Sequence, residues 1–163
     1  MRYDKDIVKF VNSCFNLNAE SISYIPMNGN HLILEFNDYS IRVVDLGDGI
    51  KYGFLLYSIL LATYPKIVLI DDVESHLHIH TLSKIVHALL HYSKENNAQI
   101  IMTTHSMEFI EKIVRAAVTK KFKPEEIVII HLLNKGAKIV YRRSDLNEAQ
   151  NYIFTLGSDL RKP

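Results

Sequence analysis

The sequence predicts an α/β fold: a partial parallel sheet with flanking helices, beside a small antiparallel β meander. Three observations carry this. The apolar, mostly β-branched run Ile67-Val68-Leu69-Ile70 ends abruptly in Asp71-Asp72; it is too short for a membrane span and reads as a strand buried on both faces. A second run, Gln99 to Thr104, ends at His105-Ser106. Between them Leu82, Ile85, Val86, Leu89 and Leu90 recur at helical spacing. Strand, helix, strand is a parallel crossover, right-handed by default, so the two strand ends share one edge. Ligands of open α/β sheets sit beyond the carboxyl ends of the strands. Asp71, Asp72 and His105 are therefore expected to converge, and two adjacent carboxylates ask for a cation or a proton between them. A plain solvated acidic turn is the alternative.

The other elements follow in chain order. Ile7, Phe10, Val11, Cys14 and Phe15 form one helical stripe that stops near Asn16-Leu17-Asn18. Ser21 to Met27 and His31 to Phe36 read as strands, joined by a hairpin turn at Asn28-Gly29-Asn30. Asn37-Asp38 turns the chain into a third strand, Tyr39 to Val44. A glycine-bearing turn, Asp45 to Tyr52, then opens an apolar helix over Gly53 to Tyr64. Such a turn lets backbone amides approach an anion closely, at the positive end of a helix; a mere helix start is the alternative. Helix Ile79 to Lys94 turns Lys84, His87, His91 and Lys94 to solvent and ends at Asn96-Asn97. Beyond His105, Ile110, Ile113, Val114, Ala117 and Val118 make the next stripe. Pro124 restarts the chain into strand Ile127 to Leu133, a turn at Asn134-Lys135-Gly136, and the return strand Lys138 to Tyr141. Asp145 and Glu148 have capping-box spacing for a last helix.

Bulk properties narrow the class. The 163 residues suffice for one domain with a core, and 48% hydrophobic with 23% charged residues is a globular balance. No linker or repeat divides residues 1–163, so one domain is expected. A net charge of +1 produces no global field for nucleic acid. Cys14 is the single cysteine, which excludes an internal disulfide and suits a reducing compartment. No apolar segment follows Met1 to Asp6 as a leader, and no segment is long enough to span a bilayer. A cytoplasmic protein without membrane contact is expected.

The acidic run with its trailing Leu77-His78, and Ile101 to Ser106, match a known pattern in order, type and spacing. They resemble the ABC-type ATPases, and within them the overcoming-lysogenization-defect and AAA-domain groups, which read Ile-Asp-Glu-x-Glu-x-x-Leu-His and Thr-Thr-His-Ser at these two strands. Leu46-Gly47-Asp48-Gly49 resembles the signature motif Leu-Ser-Gly-Gly-Gln, with Gly47 in place of the serine and Asp48 in place of the first glycine. The tail Gly157 to Arg161 is similar to the end of such domains.

The resemblance implies a P-loop NTPase-like fold and a set of roles. Asp71 would hold Mg²⁺ through water at a Walker B strand. Asp72, one methylene shorter than the usual glutamate, would polarise the attacking water, with Glu74 as a second candidate. His105 would contact the γ-phosphate as the switch histidine. Gly47, Asp48, Gly49 and Lys51 would face the phosphates of ATP, and Ser75 with His76 would lie in the D-loop that crosses between subunits. The phosphate-binding loop, Gly-x-x-x-x-Gly-Lys-Ser/Thr, occurs nowhere in the sequence. The resemblance therefore covers only the C-terminal half of such an ATPase. A half bearing the Walker A loop, in the same gene or in trans, is implied as partner, as are a homo-oligomer and an effector acting on nucleic acid. Little or no ATP hydrolysis is expected of the chain alone. Two other readings stand beside this one. A non-catalytic interaction module or remnant would use the same apolar strands for assembly only. A metal-dependent hydrolase would use His76, His78 and His80 with Asp72 and Glu74.

Overall fold

A computed structural model describes residues 3–26, 30–75, 77–136 and 138–157. The chain forms two compact units, Met1–Thr103 and Thr104–Pro163.

The first unit opens with α1 (Asp4–Phe15), which buries Val8, Phe10, Val11 and Cys14 and leaves Ile7 half-buried. Asn16 ends it in the left-handed conformation, its N–H donating to the Asn12 carbonyl. Three antiparallel strands follow: β1 (Ser21–Pro26), β2 (Asn30–Glu35) and β3 (Ser40–Arg42). They form a meander in that order, with Ser21 opposite Glu35 and Leu34 opposite Ile41. Asn28 and Gly29 of the expected hairpin turn, and Met27 at the expected strand end, lie outside the described residues. The third strand is shorter than expected, because Val43–Asp45 winds into a 3₁₀ turn.

Helix α2 (Asp48–Thr63) starts five residues before the expected Gly53, so Asp48, Gly49 and Lys51 are helical rather than part of a loop. Gly53 faces α1 so closely that a Cβ there would stand 2.7 Å from the Phe15 ring. A glycine inside a helix costs about 1 kcal/mol; here it admits the ring and lets Phe10 stack on Tyr57 at 3.8 Å. The helix is not buried all round, since Leu55 and Ile59 stay exposed.

Strands β4 (Ile67–Ile70) and β5 (Gln99–Met102) pair in parallel, Ile67 with Gln99 and Ile70 with Met102, joined through α3 (Ile79–Asn96). The crossover read from the sequence is thus present. The α3 stripe of Leu82, Ile85, Val86, Leu89 and Leu90 is buried as expected, each side chain contributing roughly 1.5–3 kcal/mol of burial. Helix α3 packs against β5. Yet Ile67, Leu69 and Ile101 are 63%, 72% and 50% exposed. The strands were expected to be buried on both faces; one face is bare, because none of the described residues of the unit forms a second helical layer over it.

The second unit holds α4 (Met107–Thr119), capped by the Ser106 hydroxyl, which accepts from the Phe109 N–H at 3.2 Å. It buries Phe109, Ile113, Val114, Ala116 and Ala117, a stripe rotated from the expected one, so that Val118 is left exposed. Strands β6 (Val128–Lys135) and β7 (Lys138–Asp145) form a two-stranded antiparallel ribbon, turning at Gly136 with φ 68°. The return strand runs past the expected Tyr141 to Asp145. There the capping box forms: Glu148 N–H donates to Asp145 Oδ1 at 2.9 Å, and Asp145 N–H donates to Glu148 Oε2 at 3.0 Å. The short α5 (Leu146–Gln150) follows and packs on α4. In the tail, residues from Ser158 onward lie outside the described residues. Among the described residues no helix is long and apolar enough to cross a membrane.

Candidate functional site

The parallel register fixes the site. With Ile70 beside Met102, the carboxyl ends of β4 and β5 lie next to each other, and the next residues of each strand meet. Thr103 N–H donates to the Ile70 carbonyl at 3.0 Å, and Val73 N–H donates to the Thr103 carbonyl at 3.3 Å. The Thr103 hydroxyl accepts from Asp72 N–H at 2.9 Å and donates to Asp71 Oδ1. Asp71 and Asp72 are both exposed, while Val73 beneath them is 0% exposed and anchors the turn. Asp72 sits at φ 46°, a left-handed conformation in which aspartate is several-fold over-represented among non-glycine residues. The Asp72 carbonyl accepts from Ser75 N–H at 2.9 Å, and the Glu74 carbonyl from Leu77 N–H at 3.1 Å, which curls the chain back toward α3. Thr103 is the residue that sequence reasoning passed over. The available signal was a hydroxyl residue at the end of the strand that neighbours the acidic one.

Glu74 is half-buried, and its charge reaches Tyr52 of α2. Burial, then the Glu74 charge, pushes the Tyr52 hydroxyl above the usual phenol range. Tyr52, in the second turn of α2, thus lies within electrostatic reach of Glu74, a relation that no spacing in the sequence reveals.

The glycine-bearing turn is arranged differently. Gly47 is the N-cap of α2, with φ −61° and ψ 149°. Its carbonyl accepts from Ile50 N–H at 2.9 Å and from Lys51 N–H at 3.1 Å. A Cβ on Gly47 would meet nothing within 4 Å. Lys51 Nζ pairs with Asp48 Oδ1 at 2.7 Å, one turn back on the same helix. Exposed on both sides, this pair is worth little and leaves the lysine available for exchange with another anion.

His105 is exposed and stands two residues beyond Thr103 in the chain, just before the cap of α4. His76 lies outside the described residues. His78 caps α3, its Nδ1 accepting from His80 N–H at 3.4 Å, and the two rings stack at 5.3 Å. Among the described residues no group of three or more His, Cys, Asp or Glu side chains is placed to share a metal ion. Cys14 is buried, and desolvation pushes its thiol up to about 11, which makes it a core residue and not a nucleophile.

Among the described residues, the donors at the acidic turn are oxygens: carboxylates at Asp71 and Asp72 and the hydroxyl of Thr103. Such a set suits a hard cation such as Mg²⁺ and does not suit a soft one. The residues present therefore fit a hard divalent cation.

A family model described as "AAA domain, putative AbiEii toxin, Type IV TA system" matches residues 3–111. The chain is 28% identical over 156 residues to a Helicobacter pylori protein named ATP/GTP phosphatase, covering 93% of this chain and 41% of that protein. It thus spans about two fifths of that curated relative's length. The fold is similar to that of a solved chain from work on ATP-driven dimerization and DNA-stimulated activation of SMC ATPases, with a TM-score of 0.61 at 14% identity, over 95% of this chain and 93% of that one. It is also similar to the Smc head domain of Pyrococcus furiosus solved with the C-terminal domain of ScpA, with a TM-score of 0.64 at 13% identity, over 95% of this chain and 37% of that one. At these identities the likeness is one of fold. The expected P-loop NTPase-like α/β class holds.

Proposed function

The chain belongs to the AAA-domain family of ABC-type P-loop ATPases, and from that premise we propose that it supplies the acidic and signature-like part of a composite Mg-ATP site. The phosphate-binding loop comes from a segment outside these 163 residues. Asp71 at the end of the Walker B strand would hold the magnesium, and Asp72 would polarise the attacking water, with Glu74 as a second candidate for that role. His105 serves the γ-phosphate, while the amides at the start of α2 and Lys51 face the phosphates of a nucleotide held by the partner. Ser75 and His76 belong to the crossing loop. When bound, Mg-ATP supplies a polarised phosphoryl group in need of charge stabilisation. The chain's own part is to place carboxylates and amides around it.

The observation that carries this reading is the parallel register of β4 and β5, with the acidic pair held at their shared carboxyl edge. The bare face of Ile67, Leu69 and Ile101 supports the assembly half of the reading, because parallel sheets ordinarily carry helices on both faces. That face is where the Walker A half docks. The ATP-driven dimerization named for the SMC neighbour is the kind of motion such an assembly would pass to an effector, and nucleic acid is the substrate class the resemblance implies for that effector. The test is reconstitution. The chain is mixed with a Walker A-bearing segment of a full-length relative, and Mg²⁺-dependent phosphate release is measured. Turnover by the mixture, and little by either part, supports the proposal. Substantial turnover by the chain alone, abolished in Asp71→Ala, overturns it.

A further inference from the structure

Among the described residues Thr103 makes four hydrogen bonds, and all four go to the acidic turn or the strand that feeds it. Its backbone N–H and carbonyl engage Ile70 and Val73, and its hydroxyl engages Asp71 and Asp72. A threonine hydroxyl has one hydrogen. Since Asp72 N–H is itself a donor, the hydroxyl oxygen accepts there, and its single hydrogen goes to Asp71 Oδ1. The direction of both bonds is thereby fixed. Asp71 Oδ1 is the acceptor, and the Asp72 amide is held at the left-handed φ of 46°.

We infer that Thr103 is a positioning residue, whose hydroxyl sets both the orientation of the Asp71 carboxylate and the backbone conformation of Asp72. This deepens the proposed function, since it names how the same acidic turn is ordered, and it rests on that reading for its catalytic consequence. The bonds cross between residues 31 and 32 positions apart, so they link the end of β5 to the acidic turn directly. Thr103 also stands two residues before His105 in the chain, so the segment that carries the switch histidine begins from this clamp.

The backbone half and the hydroxyl half of the clamp separate under substitution. Thr103→Val keeps the β-branched shape and both backbone bonds but removes the hydroxyl; Asp72 N–H then loses its acceptor and Asp71 Oδ1 its donor. Thr103→Ser keeps the hydroxyl. The first measurement is residue-resolved amide hydrogen exchange by NMR on the nucleotide-free chain. Expected in Thr103→Val is exchange at Asp72 faster by about tenfold, with Val73, bonded to the Thr103 carbonyl, unchanged. In Thr103→Ser both amides keep their original rates. Equal exchange at Asp72 in all three proteins overturns the inference, as does faster exchange spread evenly over Asp72 and Val73. The second measurement is turnover in the reconstituted assembly. Expected in Thr103→Val is a fall in kcat of about tenfold with KM for ATP unchanged, rescued by serine. A kcat unchanged in Thr103→Val, or lost equally in both variants, overturns the positioning role. If no assembly hydrolyses ATP, the proposed function fails, and the exchange result still decides whether the hydroxyl orders the turn.

Discussion

The acidic turn after β4 and the glycine turn before α2 are both short connections that the sequence marks out as sites, yet they are held in opposite ways. The acidic turn is tied across the sheet by hydrogen bonds from Thr103 and anchored by the fully buried Val73. The glycine turn is closed by local bonds, from the Leu46 N–H to the Val43 carbonyl, between Arg42 and Asp45, and in the first turn of its own helix, and the space beside Gly47 is open. One is organised before any ligand arrives. The other is held by bonds to near neighbours in the chain, with Lys51 paired to the exposed Asp48 one turn back. That difference is what a composite site asks for: a rigid half that places charge, and an accessible half that meets a partner.

The strongest way to break this comparison is at the acidic turn. Asp71→Ala and Asp72→Asn are each expected to lower Mg²⁺-dependent turnover of the reconstituted assembly on the order of 10²-fold. Asp72→Asn should do so without loss of thermal stability, since asparagine also accepts a left-handed backbone. Calorimetry beside the activity assay separates the two effects, and an active Asp72→Asn would remove Asp72 from the proposed chemistry. Next in size is Gly53→Ala, within α2 and against α1. The added Cβ strikes the Phe15 ring at 2.7 Å, so a net loss of about 1–2 kcal/mol is expected after the gain in helix propensity. The melting temperature should fall by roughly 2–4 °C per kcal/mol for a chain of this size.

Gly47→Ser sharpens the comparison from the other side. The backbone there is extended and the space is open, so serine should add only a few tenths of a kcal/mol as an N-cap. It would also restore the hydroxyl that the resemblance leads one to expect. A rise in the affinity of the assembly for ATP, with stability almost unchanged, is the predicted pattern, measured by nucleotide titration beside a melting curve. The smallest effect concerns Cys14. With its thiol pushed up to about 11 from 9.0 by burial, the folded chain keeps it protonated at pH 8. Iodoacetamide should then label the folded protein far more slowly than the denatured one. By the same shift, folding is favoured below pH 9 and loses that contribution as pH rises toward 11. A fast-labelling native thiol would show that α1 does not pack as described.

The helices and the crossover were legible because they rest on local patterns. The spacing of Leu82, Ile85, Val86, Leu89 and Leu90 needs only the period of a helix, and the capping box at Asp145 and Glu148 needs only three residues of separation. Asp71 and Asp72 could be assigned to the end of a strand for the same reason. What the sequence by itself determined, then, is which elements form and which polar residues end them. Only the tertiary structure decided that one sheet face stays bare, that α2 begins at Asp48, that Gly53 makes room for Phe15, and that Thr103 clamps the acidic pair. The physical reason is range. Periodicity and capping act within a turn or two of chain, whereas a hydrogen bond or a steric contact between distant residues exists only once packing has brought them together.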